Sequence, residues 1–258
     1  MLTSIQNPLI KEIRKLHGSK GRREQQLFLL EGTHLLEEAC AVKHPIATVC
    51  CTVEWQEQHR ELWERVGELA DRTELVSEKV LESIATTVQP DGIVATAPRT
   101  ATSPVELSTL GLALETIQDP GNLGAIVRTA AAANADGLLL SSDSADLDHP
   151  KVLRASAGGW FKLPMAVTSD LRAEVSRCQN RGMQILATVP DASLTYWEVD
   201  LRMPTLIVLG NEGSGLSAEL ISLADRQVQI PLHRGVESLN VSIASALILY
   251  EAQRQRSY

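Results

Sequence analysis

The chain has few of the residue patterns that mark common functional classes. Its 258 residues include four cysteines, Cys40, Cys50, Cys51 and Cys178, two adjacent and none in CxxC spacing, so neither a zinc site nor a disulfide framework is expected. The six histidines are scattered without an HExxH pair, and no metal is expected. Aromatic residues make up only 3% of the chain, too few to advertise a stacking platform for single-stranded bases. No apolar run approaches the roughly 18 residues of a membrane span, and the first residues lack the apolar core of a signal peptide. Neither GxGxxG nor GxxxxGK[ST] occurs, which removes the commonest nucleotide fingerprints. What remains is a 44% hydrophobic, 22% charged composition, expected of a cytoplasmic globular protein with one large or two ordinary domains.

The formal net charge of −8 argues against a nucleic-acid partner, but its distribution does not. Residues 1–23 carry Lys11, Arg14, Lys15, Lys20, Arg22 and Arg23 against Glu12 alone, a local balance of +5. A basic arm on an acidic body suits phosphate contact; the competing reading is a solvated helix face.

Residues 5–17 read as a basic helix with His17–Gly21 as its exit. Strands at 27–32, 46–53, 74–76 and 92–97 alternate with helices at 34–41, 57–71 and from Glu78 onward, the pattern of a small α/β sandwich over residues 1–98. Residues 99–108, rich in Pro, Thr and Ser, read as a linker. Residues 109–258 alternate more regularly, with strands at 112–117, 137–141, 163–167, 183–188, 205–209 and 227–230. Helices fit 123–133, 151–157, 171–180, 218–224 and 241–254. Strands apolar throughout, such as Leu206-Ile207-Val208-Leu209, call for a parallel sheet covered on both faces, with ligands beyond its carboxyl ends.

Three polar loops follow three of these strands. The first, Gln118 to Gly124, leads into a helix carrying Arg128, whose apolar neighbours suggest a guanidinium held against an apolar wall. The second, Gly210-Asn211-Glu212-Gly213-Ser214-Gly215, has three glycines in six residues, which lets a ligand approach the backbone. Glu212 there is either a turn residue or a polar contact. The third runs from Ile230-Pro231 through Ser238-Leu239-Asn240 into a helix apolar nearly all round, expected to be buried against a sheet or a partner subunit. Ser238 and Asn240 are either helix caps or ligand contacts. The glycine-richest loop comes late in the domain, which counts against a nicotinamide enzyme.

Taken in order, the three loops resemble the three motifs of the SpoU (TrmH-like) family of RNA ribose 2′-O-methyltransferases in the SPOUT superfamily. Asn122-Leu123-Gly124 with Arg128 is similar to the first motif. Gly210-Asn211-Glu212-Gly213 with Gly215-Leu216 is similar to the second, and Ile230-Pro231 through Ser242 to the third. Asn7-Pro8, Lys11, Arg22, Arg23 and residues 28–32 resemble, more weakly, that family's small substrate-binding domain. The resemblance implies S-adenosyl-L-methionine as cofactor, RNA as acceptor (ribosomal RNA in preference to transfer RNA) and a homodimer. It also implies a C-terminal trefoil knot, which general folding rules would have excluded.

By the same resemblance Thr188, Val189, Leu209, Gly210, Asn211, Gly213, Ile230, Leu232 and Leu239 would hold the cofactor. Asn122, Arg128, Glu212, Ser238 and Asn240 would form the catalytic side, and Lys11, Arg14, Lys15, Arg22 and Arg23 would contact RNA. A guanidinium rarely loses its proton, so Arg128 is expected to stabilise charge and not to act as a base. Two other readings are an inactive knotted RNA-binding protein and an unrelated nucleotide-binding α/β enzyme.

Overall fold

A computed structural model describes residues 1–99, 105–233 and 235–257. The chain divides into two compact units, Met1–Ala101 with Asp146–Phe161, and Thr102–Ala145 with Lys162–Tyr258. Residues 100–104 of the expected linker lie outside the described residues.

In the first unit, α1 (Pro8–Lys15) starts where Asn7 Oδ1 accepts the Leu9 N–H and Pro8 sets the first turn. Ile10 and Ile13 face inward, leaving Lys11, Arg14 and Lys15 outside. A second helix, α2 (Ser19–Gln25), occupies the stretch expected to be an exit loop. Gly21 permits it, since a Cβ there would lie 2.0 Å from the Lys15 carbonyl oxygen. There follow β1 (Leu27–Glu31), α3 (Thr33–Ala41), β2 (Ile46–Cys51), α4 (Val53–Gln58), α5 (Arg60–Leu69), β3 (Ala70–Leu75), α6 (Glu78–Ile84) and β4 (Ile93–Pro98). The strands form a sheet in the order β1-β4-β2-β3, antiparallel except for β2 with β3. Strand alternation puts Phe28, Leu30, Val49, Cys51 and Ile93 into one buried cluster and Leu29, Cys50 and Val94 into another. All four cysteines are free and buried, and burial pushes the Cys50 and Cys51 thiols up to about 12.

The second unit opens with β5 (Leu110–Leu114), α7 (Pro120–Ala132) and β6 (Gly137–Ser141). The chain then returns to the first unit for α8 (Pro150–Ser156) and re-enters the second with β7 (Met165–Thr168). Residues 146–161 thus pack with the first unit, whereas the sequence reading places residues 109–258 together. Leu153, Trp160 and Phe161 join the Phe28 cluster, with the Phe28 and Trp160 rings 5.2 Å apart. The rest of the second unit is α9 (Leu171–Asn180), β8 (Gln184–Thr188), β9 (Leu194–Thr195), β10 (Thr205–Leu209), α10 (Ala218–Leu223), β11 (Arg226–Gln229) and α11 (Val241–Arg256).

Its sheet runs β7-β6-β5-β10-β8-β11-β9, and every pair is parallel. The central strands β5 and β10 are buried at every residue, as covered parallel strands must be. Asp136 fixes the start of β5 by accepting the N–H groups of Ser108, Thr109 and Leu110. Burial alone would raise its carboxyl, but the donors from Thr109 and Ser108 hold it below the ordinary range. Helix α11 packs on α7 and β10 through Val241, Ser245, Ile248, Leu249 and Ala252. It is not buried all round: Ile243, Leu247 and Tyr250 stay exposed. Among the described residues no helix is long and apolar enough to cross a membrane.

Candidate active site

The three polar loops meet at the carboxyl ends of β5, β10 and β11. Helix α7 begins at Pro120, three residues earlier than expected, because Asp119 accepts the Asn122 N–H at 2.9 Å. That places Asn122 in the first helical turn with its amide free for longer contacts. Its Nδ2 donates to Glu212 Oε1 at 2.7 Å, and its Oδ1 accepts from Asn240 Nδ2 at 2.9 Å. One side chain thus joins segments 90 and 118 residues away. Asn240 also caps α11, its Oδ1 accepting the Ser242 N–H at 2.9 Å, so capping and cross-loop contact coexist.

The glycine-rich loop is curled on itself. Asn211 and Gly215 exchange main-chain bonds, and Asn211 Oδ1 accepts the N–H groups of Gly213 and Ser214. Gly210 has to be glycine, since a Cβ would sit 2.3 Å from the Gly215 carbonyl carbon. The segment after β5 holds the loop from outside: Glu115 Oε2 accepts the Ser217 N–H at 2.7 Å, and the Thr116 carbonyl accepts Asn211 Nδ2 at 2.8 Å. Neither Glu115 nor Thr116 stands among the residues expected from the sequence. Both look like ordinary strand-end residues until the fold brings residue 211 alongside them.

Arg128 lies six residues beyond Asn122 on α7, about 9 Å along the axis at 1.5 Å per residue. It is exposed and has no hydrogen bond or ion pair among the described residues. The expected apolar wall is absent, because Ile126 and Val127 turn into the core while Arg128 projects to solvent. Ser238 is also exposed.

The residues expected to hold a cofactor fall at the ends of three neighbouring strands: Thr188 and Val189 at the end of β8, Leu209, Gly210, Asn211 and Gly213 at the end of β10, and Ile230 and Leu232 after β11, with Leu239 just before α11. Thr188 Oγ1 donates to the Val208 carbonyl and the Val189 N–H to the Val228 carbonyl, which ties these ends together. Among the described residues, Ile230, Leu232 and Leu239 make no main-chain hydrogen bond. Half-buried backbone donors and acceptors of this kind suit a ligand with an adenine edge and a carboxylate, so the residues present fit S-adenosylmethionine.

The basic residues of the first unit separate into two kinds. Lys11 and Arg14 are exposed, Lys15 pairs with Glu12, and Arg23 is 65% exposed beside Asp146. Arg22 is 1% exposed; its Nη2 donates to Asp146 at 2.8 Å and its Nε to Asp148 at 3.1 Å. Its Nη1 donates to the Leu16 and His17 carbonyls. Arg22 therefore ties α2 to the returning segment and cannot reach a phosphate, contrary to the expectation. Among the described residues no group of His, Cys, Asp and Glu could hold a metal ion.

Fold and site together define a class. The SpoU rRNA Methylase family model matches residues 109–250, and the chain belongs to that family. Residues 7–95 match an MRM3-like substrate binding domain. Over 99% of its length the chain is 47% identical to an uncharacterized tRNA/rRNA methyltransferase of Synechocystis sp., covering 94% of that protein. It is 30% identical over 96% of its length to the 23S rRNA (guanosine(2553)-2′-O)-methyltransferase RlmP of Bacillus subtilis, covering 97% of it. The AdoMet-bound rRNA methyltransferase of Sinorhizobium meliloti superposes with a TM-score of 0.87 at 31% identity, covering 98% of this chain and 97% of that one.

Proposed function

We propose that the chain methylates the 2′-oxygen of a ribose in ribosomal RNA with S-adenosylmethionine as donor. The observation that carries the reading is the meeting of Asn122, Glu212 and Asn240 at the strand ends, with Asn122 on the helix that also carries the exposed Arg128. The cofactor supplies an electrophilic methyl group on a sulfonium. Backbone groups of Leu209, Gly210, Asn211, Gly213, Ile230, Leu232 and Leu239, with Thr188 and Val189, hold it, leaving the side chains free for the acceptor. Asn122, Glu212, Asn240 and Ser238 orient the ribose, and alignment is most of the catalysis such a transfer needs. Arg128 grips the neighbouring phosphate and stabilises the oxygen as it gains negative charge.

On the first unit, Lys11, Arg14, Lys15 and Arg23 contact RNA phosphates. Ribosomal RNA is favoured over transfer RNA by the match of residues 7–95 to a substrate binding domain and by the full-length likeness to a 23S rRNA enzyme. The exposed stripe Ile243, Leu247 and Tyr250, spaced for one helix face, supports a homodimer. The C-terminal chain forms a trefoil knot around the cofactor loops, in keeping with the family.

The test is transfer of labelled methyl to total RNA from a strain lacking the protein, followed by mapping of the site. Label on one ribose of ribosomal RNA is expected. A target lacking the 2′-hydroxyl must remain unlabelled. No transfer to any RNA, or labelling of the deoxy target, overturns the proposal.

A further inference from the structure

Thr116, the second residue after β5, has a backbone φ of +56°. Glycine adopts that conformation freely; a β-branched residue persists there only when its surroundings fix it. Its N–H donates to Ser141 Oγ at 2.8 Å, its Oγ1 donates to Asp143 Oδ2 at 2.7 Å, and the next N–H, of Ile117, donates to Ser144 Oγ at 3.0 Å. Hydrogen bonds from the Ser141 and Thr116 hydroxyls hold the Asp143 carboxyl below its usual range, so it is an ionised acceptor at neutral pH. The carbonyl of Thr116 accepts Asn211 Nδ2, and the same Asn211 side chain curls the loop that carries Glu212.

We infer that Thr116 is a positioning residue for methyl transfer: its clasped, left-handed backbone aims a carbonyl at Asn211 and so sets the register of Glu212 against Asn122. The inference rests on the methyltransferase reading. It also explains the placement of Ser141, Asp143 and Ser144, which lie on a different strand end from the cofactor residues.

Thr116→Val removes the bond to Asp143 and keeps the β-branch, while Thr116→Gly takes the same backbone conformation without needing the clasp. Thr116→Val should melt as a folded protein, lose roughly tenfold or more in kcat through misalignment, and exchange the Gly213 and Ser214 amide hydrogens faster. Thr116→Gly should recover most of the lost kcat and the slow exchange. Should Thr116→Val not fold, Asp143→Ala opens the clasp from outside and should show the same split. Unchanged kcat and exchange in the unclasped variant overturns the inference, as does Thr116→Gly impaired to the same degree. A wild-type protein that transfers no methyl refutes the underlying reading instead, and the exchange measurement then still decides whether Thr116 holds the loop.

Discussion

The side-chain amide of Asn122 donates to the Glu212 carboxylate at 2.7 Å, although 90 residues of chain separate them. Both are solvent-accessible, so the bond does little for stability, and its value lies in fixing the two loops relative to one another. Asn122→Ala should leave the melting temperature nearly unchanged and lower kcat by about 10²-fold, the scale of a 1 Å misplacement. Glu212→Ala should cost a similar factor. The double variant should be little worse than either single one, and additive losses would show that the residues act separately.

Arg128→Ala should lower kcat by roughly 10²–10³-fold, as loss of one charge-stabilising donor does, while calorimetry finds cofactor affinity unchanged. Arg128→Lys should restore only part of the rate, because an ammonium lacks the planar fork that grips a phosphate. Wild-type turnover in Arg128→Ala would remove the residue from the mechanism.

Arg22 separates from its basic neighbours on energetic grounds. Replacing it with methionine leaves the buried carboxylate of Asp148 with Arg99 as its remaining ion-pair partner and should cost up to about 3–5 kcal/mol in urea denaturation. Lys11→Ala and Arg14→Ala should leave stability alone and each reduce the salt slope of RNA binding by about one. A shallower slope and full stability in the Arg22 variant would reverse the assignment.

Asp136 gives a pH test. Its carboxyl is depressed in the folded protein, so the stability it contributes is present above the unfolded-state value of about 3.9 and is lost as pH falls through the folded one. Asp136→Asn should be less stable than wild type at neutral pH, and the two should converge in acid. Parallel stability curves across that window would show that the N–H groups of Ser108, Thr109 and Leu110 do not depend on the charge.

Much of the second unit was legible because β5, β6 and β10 are nearly uninterrupted apolar runs bounded by turn residues, a local signal. The site loops were legible for the same reason: glycine, asparagine and proline collect where strands end. Arg22 was misread because its partners, Asp146 and Asp148, stand 124 and 126 residues away and nothing local distinguishes it from Arg23. Helix α2 was missed because Gly18 and Gly21 read as breakers, whereas Gly21 is there for a close approach to α1. Thr116 carries no sequence mark, since its conformation is imposed by hydroxyls from the end of β6.

The return of Asp146–Phe161 to the first unit bears on any attempt to study RNA recognition with a fragment. A protein ending at residue 98 would leave Arg22 and Glu31 buried without Asp146, Asp148 and Arg154, and would uncover the Phe28 face. Arg22 would keep only the Leu16 and His17 carbonyls and Glu31 only Thr86, and each lost ion pair takes up to about 3–5 kcal/mol from the 5–15 kcal/mol that holds a domain folded. A stable fragment of the first unit has to be spliced, with residues 146–161 grafted behind the fourth strand.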